Sequence, residues 1–459
     1  MKKTMMILLL SIIGIGLQVS AAPLKRVNIF NEVVFYDGYQ PNVYDTDLND
    51  GVLRFKNSLY SMKIDQEQIR DMGDDLRMDV IIGALCDNYD RIGNVSLAFV
   101  PKGSATYEFD DVERIEVTRF ITPFMNKNIE PTEVPYHYEI ANVGRILRDK
   151  DICEKYDFWL EFEVFGIPYA ANTQVAGCND RNDVFEGTIN LSYTPAKSSV
   201  KETGNIIVPI YFKKPEDKGN VNFNNYTEGA TDTLGVTTRT FEFVIPEDVT
   251  DSRIYLILTN HGAGAKGEEY SRRQHLVYYD GEIVLSYKPG GVSCEPYRKY
   301  NTQPNGIYGN KTMSDTQWES FSNWCPGQAV PLREIHTGAQ KAGVHKLMIR
   351  VPNAKFMGKD GDFRPSLYFH GVKEGELEAG LDQIWFEGPE VNLTVVDGLL
   401  QYTSDESISE ILIHSFDGKE VKCFRNTNST IDLRGIQSGV YIITFITDDG
   451  RTTPFKIIL

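Results

Sequence analysis

Apolar and polar residues alternate in many segments of this chain. RTFEFVIP (239–246), RIYLILTN (253–260), HLVYYDGEIVLSY (275–287) and GVYIITFI (439–446) are the clearest runs. Alternation puts successive side chains on opposite faces of an extended strand. Gly, Asn, Asp and Pro cluster between the runs, as turns require. Asp280-Gly281, set between two such runs, predicts a tight hairpin. Helical periodicity is scarce. The expectation is an all-β chain built of sandwiches or jelly rolls.

Two polar breaks divide the pattern. TPAKSSVKETGN (194–205) separates two β-rich blocks of similar size, and a second break lies near EGPEVNLT (387–394). The N-terminal segment differs from everything after it. Lys2 and Lys3 precede an apolar run over 5–17, and Val19-Ser20-Ala21 fits a small-residue cleavage site, the pattern of a secretory signal peptide. The expected divisions are therefore 1–21 (signal peptide), 22–200, 201–390 and 391–459. No cysteine stands at the cleavage site to carry a lipid, and no later stretch is apolar enough to span a bilayer. The protein is expected to be exported, to the periplasm, the cell surface or the medium.

Charge narrows the partners. The formal net charge is −17, and loss of Lys2 and Lys3 makes the mature chain more acidic still. Such a surface repels nucleic acid and anionic membranes. The 24 tyrosines and 24 phenylalanines suit an aromatic β core, or in an exported protein a sugar-stacking surface. Export also permits disulfides among the six cysteines, but spacing alone leaves their connectivity open. The chain has no CxxC, HxH, HExxH or GxSxG pattern, so neither a metal site nor a serine nucleophile is expected.

Acidic residues in unusual settings are the remaining candidates. CDNYDR (86–91) follows the apolar run 80–85 and carries Asp87 and Asp90; it reads either as a solvated turn or as an acid–base site. In FWLEFEVFGIP (158–168), Glu161 and Glu163 share the strand face opposite Phe158, Leu160, Phe162 and Val164. A solvated face explains that pair most simply. TNHGAGAKGEEYSRRQH (259–275) is a glycine-rich loop bearing His261, Glu268, Glu269, Arg272, Arg273 and His275. Carboxylates suit hydrolysis, because one can take a proton from water while another, kept protonated by apolar neighbours such as Phe162 and Phe165, donates one.

Several segments together resemble the peptide:N-glycosidase F family of bacterial N-glycan amidases. They are VNIFNEVVFYDGY (27–39), CDNYDR, RFITPF (119–124), TNHG followed by EEYSRRQHLVYYDG, and WCPGQAVPLR (324–333), in the family's order over roughly 27–390. The resemblance implies two eight-stranded antiparallel jelly rolls packed side by side with the active site between them. It places the essential acid on Asp90 and the supporting acids on Glu163 and Glu269. Substrate contacts fall on Arg91, Phe165, His261 and Trp324, and a disulfide on Cys294 and Cys325. Asp87 is expected to be a turn or surface acid. Departures are also visible. Gly267 and Ser271 stand where the family has a cysteine pair, Phe321 replaces an arginine, and Cys86 lacks its usual partner. Cys153 and Cys178 are expected to pair with each other.

The last block resembles the C-terminal sorting domain of type IX secretion substrates, through Asp417-Gly418, IDL (431–433), GVY (439–441) and the terminal Lys-Ile-Ile, without the usual opening Pro-Asn-Pro. It is expected to form a small β-sandwich that no longer acts as an export signal. The resemblance implies a secreted, monomeric glycoamidase that needs no cofactor. Such an enzyme hydrolyses the β-aspartylglucosaminyl amide of N-linked glycoproteins or glycopeptides. The alternative is a non-catalytic glycan-binding protein on the same double jelly roll. A copper monooxygenase would share the scaffold but lacks paired metal histidines.

Overall fold

The structure is a computed structural model. It describes residues 24–458 except 44–47, 197–201, 215–236, 263–267, 304–312, 315, 318–321, 355–360, 378–390, 397, 405–406, 416–419, 426–428, 438 and 448–451. The signal-peptide segment, Gly267, Phe321 and Asp417-Gly418 lie outside the described residues, as do parts of both polar breaks.

The described residues are nearly all β, in antiparallel sheets stacked in pairs, with short helices at Ala141–Arg148, Lys150–Cys153 and Ala171–Gln174. In the first block, a four-stranded sheet runs in the order Lys25–Tyr36, Asp183–Tyr193, Arg77–Ala84, Glu133–Glu139. It packs on a six-stranded sheet ordered Ala329–Val330, Arg114–Ile121, Ile92–Pro101, Tyr156–Val164, Leu59–Lys63, Val52–Lys56. Alternation fills the space between them: Phe158, Leu160, Phe162 and Val164 all point into the shared core. The second block has two four-stranded sheets. One contains Asn205–Tyr211, Asp362–Val372, Asp251–His261 and Arg333–His336, and the other Thr237–Ile245, Gly343–Val351, His275–Tyr279 and Glu282–Tyr287. The hairpin at Asp280-Gly281 forms, with φ of 47° and 93°; these left-handed angles are what a two-residue turn between twisted strands demands. The C-terminal block stacks a three-stranded sheet on a four-stranded one around Ile411, Ile413, Ile443 and Phe445.

The first two blocks share structure. The short edge strand Ala329–Val330 belongs by sequence to the second block but pairs with Phe120 and Arg119 in the first. Tyr255 and Tyr368 of the second block, stacked at 4.7 Å, are buried in the first block's core. A register shift opposite Val95 and Ser96 sets the rest of the seam. In a regular strand, residues three apart face opposite ways; an extra residue in the strand brings them to the same side. Glu116 and Arg119 therefore meet, Nε and Nη2 of Arg119 donating to the two carboxylate oxygens at 2.8 and 2.7 Å. Nη1 of Arg119 then donates to Thr259 Oγ1 at 2.7 Å and to the Arg364 carbonyl at 2.6 Å, both in the second block.

Two predictions follow from this arrangement. Arg119→Leu strands the buried carboxylate of Glu116 and should cost about 3–5 kcal/mol in denaturant unfolding. Adding Glu116→Leu should recover much of that loss, and a single variant as stable as wild type would contradict the seam. The C-terminal core contains only residues from Val391 onward, so a chain ending at Pro389 should fold and melt with the first two blocks' transition intact. Insolubility of that fragment would show that the last block supports the others.

Candidate functional site

The CDNYDR turn leaves the strand Arg77–Ala84 and is pinned at both ends. Cys86 is bonded to Cys178, 92 residues later. In the chain-entropy picture, closing so long a loop stabilises the fold by about 4–5 kcal/mol. This corrects the expected Cys153–Cys178 bridge. Cys153 is a free, partly buried thiol whose Sγ donates to the Leu147 carbonyl at 3.3 Å. The Cys294–Cys325 disulfide forms as the resemblance implied.

Asp87 is no surface acid. It is fully buried and accepts four hydrogen bonds: from the backbone N–H of Tyr89 at 2.9 Å and of Ile167 at 2.7 Å, and from Nε and Nη2 of Arg91 at 2.6 and 3.3 Å. Burial pushes its carboxyl up, against the opposing pull of Arg91 and the two amides. Asp87 thus aims Arg91 and bends the turn. Asp90, partly buried, stands at the apex of that turn. Thr122 of RFITPF brackets it: the hydroxyl accepts from the Arg91 N–H at 2.7 Å and donates to the Tyr89 carbonyl at 3.2 Å, while the Thr122 N–H donates to the Arg91 carbonyl at 2.8 Å.

The opposite wall comes from the second block. Glu268–Tyr270 form a short 3-10 turn. Glu268 is wholly buried and bonded to Nε and Nη2 of Arg273 at 2.9 and 3.2 Å. Asn323, next to Trp324, donates through Nδ2 to the carbonyls of Glu268 and Glu269 at 2.7 and 2.5 Å. The turn is thus clamped by the same segment whose Ala329 and Val330 pair with RFITPF. Glu269 lies near enough to Asp90 for its charge to act on it. Burial raises the Glu269 carboxyl above its ordinary value, partly offset by hydrogen bonds from Tyr270 and the Gly262 N–H. Asp90 is pushed up to about 7, first by burial and then by the charge of Glu269, with Arg91 pulling the other way. Two carboxylates that cannot both ionise easily are a hallmark of acid–base sites.

The other sequence candidates fall into separate settings. The solvated-face reading of Glu161 and Glu163 does not hold. Glu161 is buried against Arg114 at 2.8 Å, and Glu163 meets Nζ of Lys213 at 2.5 Å and Nδ2 of Asn94 at 2.9 Å. Burial would raise the Glu163 carboxyl, but Lys213 and Asn94 outweigh it and hold it below the usual range. Nothing in the sequence near Glu163 announces Lys213, which arrives from the chain entering the second block. His261 is buried, held neutral by burial and by Arg364 and Arg119, with Nε2 at 2.8 Å from Thr259 Oγ1. Its ring lies 5.7 Å from that of Trp324, whose Nε1 donates to the Asn260 carbonyl at 3.0 Å. Phe165 sits two residues beyond Glu163 and meets Tyr39 edge-on at 5.3 Å. Tyr270, bonded to Glu269 and close to Asp90, was not singled out by the sequence reading; its place directly after Glu269 was the available signal. No group of three or more His, Cys, Asp or Glu side chains placed to hold a metal ion occurs among the described residues.

Comparison with known proteins bears on the family and the fold. Residues 26–181 match the family model "Peptide-N-glycosidase F, N terminal", and residues 229–369 match "Peptide-N-glycosidase F, C terminal". No curated protein sequence matches the chain. Among solved structures, PNGF-II in its P21 crystal form superposes with a TM-score of 0.55 at 16% identity, covering 77% of this chain. The C2 form gives 0.54, also at 16% identity, covering 78%. The chain spans 66% of the length of either PNGF-II chain. PNGase F, a glycosylasparaginase from Flavobacterium meningosepticum, is 15% identical with a TM-score of 0.46, covering 78% of this chain and 98% of its own. The likeness to PNGF-II extends to the double jelly roll. With both family domains matched in order across more than half of its length, the chain belongs to the peptide-N-glycosidase F family.

Proposed function

We propose that the protein is an exported glycoamidase that cleaves the β-aspartylglucosaminyl amide of N-linked glycoproteins or glycopeptides, releasing the glycan and leaving aspartate. The carrying observation is that Asp90 and Glu269, from two different blocks, stand on turns tied together through RFITPF and the Ala329–Val330 strand, with Asp90 pushed up to about 7. A carboxylate of that basicity can take a proton from water at neutral pH, where an ordinary aspartate is a poor base.

In this reading, ionised Asp90 accepts a proton from a water molecule as the water oxygen attacks the side-chain carboxamide carbon. The carbon–nitrogen bond then breaks, its electron pair stays on nitrogen, and Asp90 returns the proton to that nitrogen. The products are the aspartyl carboxyl group and a glycosylamine, which later loses ammonia to water. Arg91, anchored on Asp87 through Nε and Nη2, directs its guanidinium toward the carbonyl oxygen on which charge develops. Glu269 raises the basicity of Asp90 and receives the amide N–H. Glu163 is held ionised by Lys213 and suits a role in binding sugar hydroxyls better than one as proton donor. His261 and Trp324 support the wall beneath Glu269, and Phe165 offers a ring face to sugar. The N-terminal export segment is part of the same proposal.

Asp90→Asn should abolish glycan release, by at least about 10²–10⁴ in rate, measured by mass spectrometry on a glycopeptide. Release at the wild-type rate would sink the assignment, and retained glycan binding without release in wild type would favour the binding-protein alternative. The same substitution tests the electrostatics. Asp90 has a folded pKa above its unfolded value, so the fold binds its proton more tightly, and stability falls as pH rises from about 4 through about 7. Asp90→Asn should therefore raise the melting temperature at pH 8, with the difference vanishing below about pH 4.

The pH profile separates the two glutamates. The acid limb of kcat/KM should fall near pH 7 in wild type. Glu269→Gln removes a like charge and should move that limb to lower pH, while Glu163→Gln should leave it in place. A shift in Glu163→Gln with none in Glu269→Gln would reverse the roles.

A further inference from the structure

Most tyrosines of this chain are buried or half-buried. Among the described residues the exposed ones are Tyr39, Tyr169 and Tyr270, at 75%, 58% and 38% exposure; Tyr169 stacks on Tyr89 next to Asp90, and Tyr39 packs on the loop bonded to Asp87. Tyr270 belongs to the turn that holds Glu269. Tyr39 and Tyr169 have no part in the chemistry described above, yet both are fixed in place by other rings.

Tyr39 lies just beyond the strand Lys25–Tyr36, and its ring meets Phe165 edge-on at 5.3 Å. The two loops touch through Gly38, whose N–H donates to the Gly166 carbonyl at 3.0 Å. A Cβ at Gly38 would lie 2.4 Å from the Phe165 ring, so only glycine permits this approach. Tyr169 ends the same loop. It stacks on Tyr89 at 5.7 Å with 28° between planes, and the Arg91 guanidinium lies 5.4 Å from the Tyr89 ring centre. Phe165 and Tyr169 are four residues apart, within about 14 Å of each other at full extension. The 165–169 loop thus carries two ring pairs, Tyr39–Phe165 and Tyr169–Tyr89, the second beside Asp90 in the chain.

The backbone around these rings shows which part of a substrate they suit. An extended peptide docks through main-chain hydrogen bonds. Here the N–H groups of Gly38, Tyr39, Tyr89, Arg91 and Ile167 are already engaged, by the Gly166 carbonyl, Asp37, Asp87, Thr122 and Asp87 respectively. What remains is aromatic surface with hydroxyl tips. Pyranose rings match it, presenting C–H faces to the rings and hydroxyls at their edges. Held rings lose little freedom on binding, which favours affinity.

We propose that Tyr39 and Tyr169 form a sugar-stacking rim that selects the glycan of the substrate, beyond the sugar attached to asparagine, rather than its peptide. This rests on the glycoamidase reading. The test uses one peptide carrying either the complete N-glycan core pentasaccharide or a core trimmed to chitobiose. In Tyr39→Ala and Tyr169→Ala, the preference for the complete core, read as the ratio of kcat/KM values, should fall up to about tenfold per ring. Tyr39→Phe and Tyr169→Phe keep the ring and should restore most of that preference, and the melting temperatures should match wild type. An unchanged preference, or a loss that follows peptide length instead of glycan length, overturns the rim. If wild type releases no glycan from either substrate, the glycoamidase reading fails by itself. The rim is then judged by calorimetric titration of the free pentasaccharide into wild type and Tyr39→Ala: weaker binding in the variant supports it, and equal or absent binding in both overturns it.

Discussion

A guanidinium buried between two sheets must find several partners at once, and Arg119 finds them in both blocks. Its ion pair with Glu116 neutralises charge within the first block, and its bonds to Thr259 and Arg364 reach the second. Truncating Arg119 alone would strand the Glu116 carboxylate in an apolar setting, a cost of several kcal/mol. The neighbouring residues of RFITPF continue the join: Arg119 and Phe120 receive the edge strand Ala329–Val330, and Thr122 brackets Asp90. One short strand therefore fastens the two jelly rolls and sets the position of the central acid.

This join explains why the acid pair is perturbed. Asp90 is delivered by the first block and Glu269 by the second, and the Ser322–Trp324 segment that holds Glu269 continues into the strand that pairs with RFITPF. Neither carboxylate can relax away from the other without disturbing that pairing. Burial and the charge of Glu269 push the Asp90 carboxyl up to about 7. Glu163, though carried on a neighbouring strand, has a cation of its own and escapes this tuning.

The disulfide between Cys86 and Cys178 serves the same end from the other side. It ties the start of the CDNYDR turn to the segment before the strand Asp183–Tyr193, close to the loop that carries Phe165 and Tyr169. Asp87 then fastens that loop to the turn through the Ile167 N–H. The aromatic rim and the acid are thus parts of one cross-linked unit.

Much of this was legible in the sequence because it depends on local pattern. Period-two alternation gave away the strands, Asp280-Gly281 its hairpin, and the acidic turns their composition. The separate core of the last block followed from its own strand set. What the chain order could not decide was partnership. The cysteine pairing of Cys86 joins residues 92 apart, and Asp87 looked like a turn acid because its four donors come partly from distant loops. Glu161 and Glu163 looked solvated because alternation tells which face a side chain takes, not what covers that face; Arg114 and Lys213 cover it. By itself the sequence determined the strands, the turns and the inventory of acids and rings, all properties of near neighbours along the chain. Only the tertiary structure decided which acid is paired with a cation and which with another acid, because burial and charge are fixed by residues far apart in sequence that packing brings within a few ångströms.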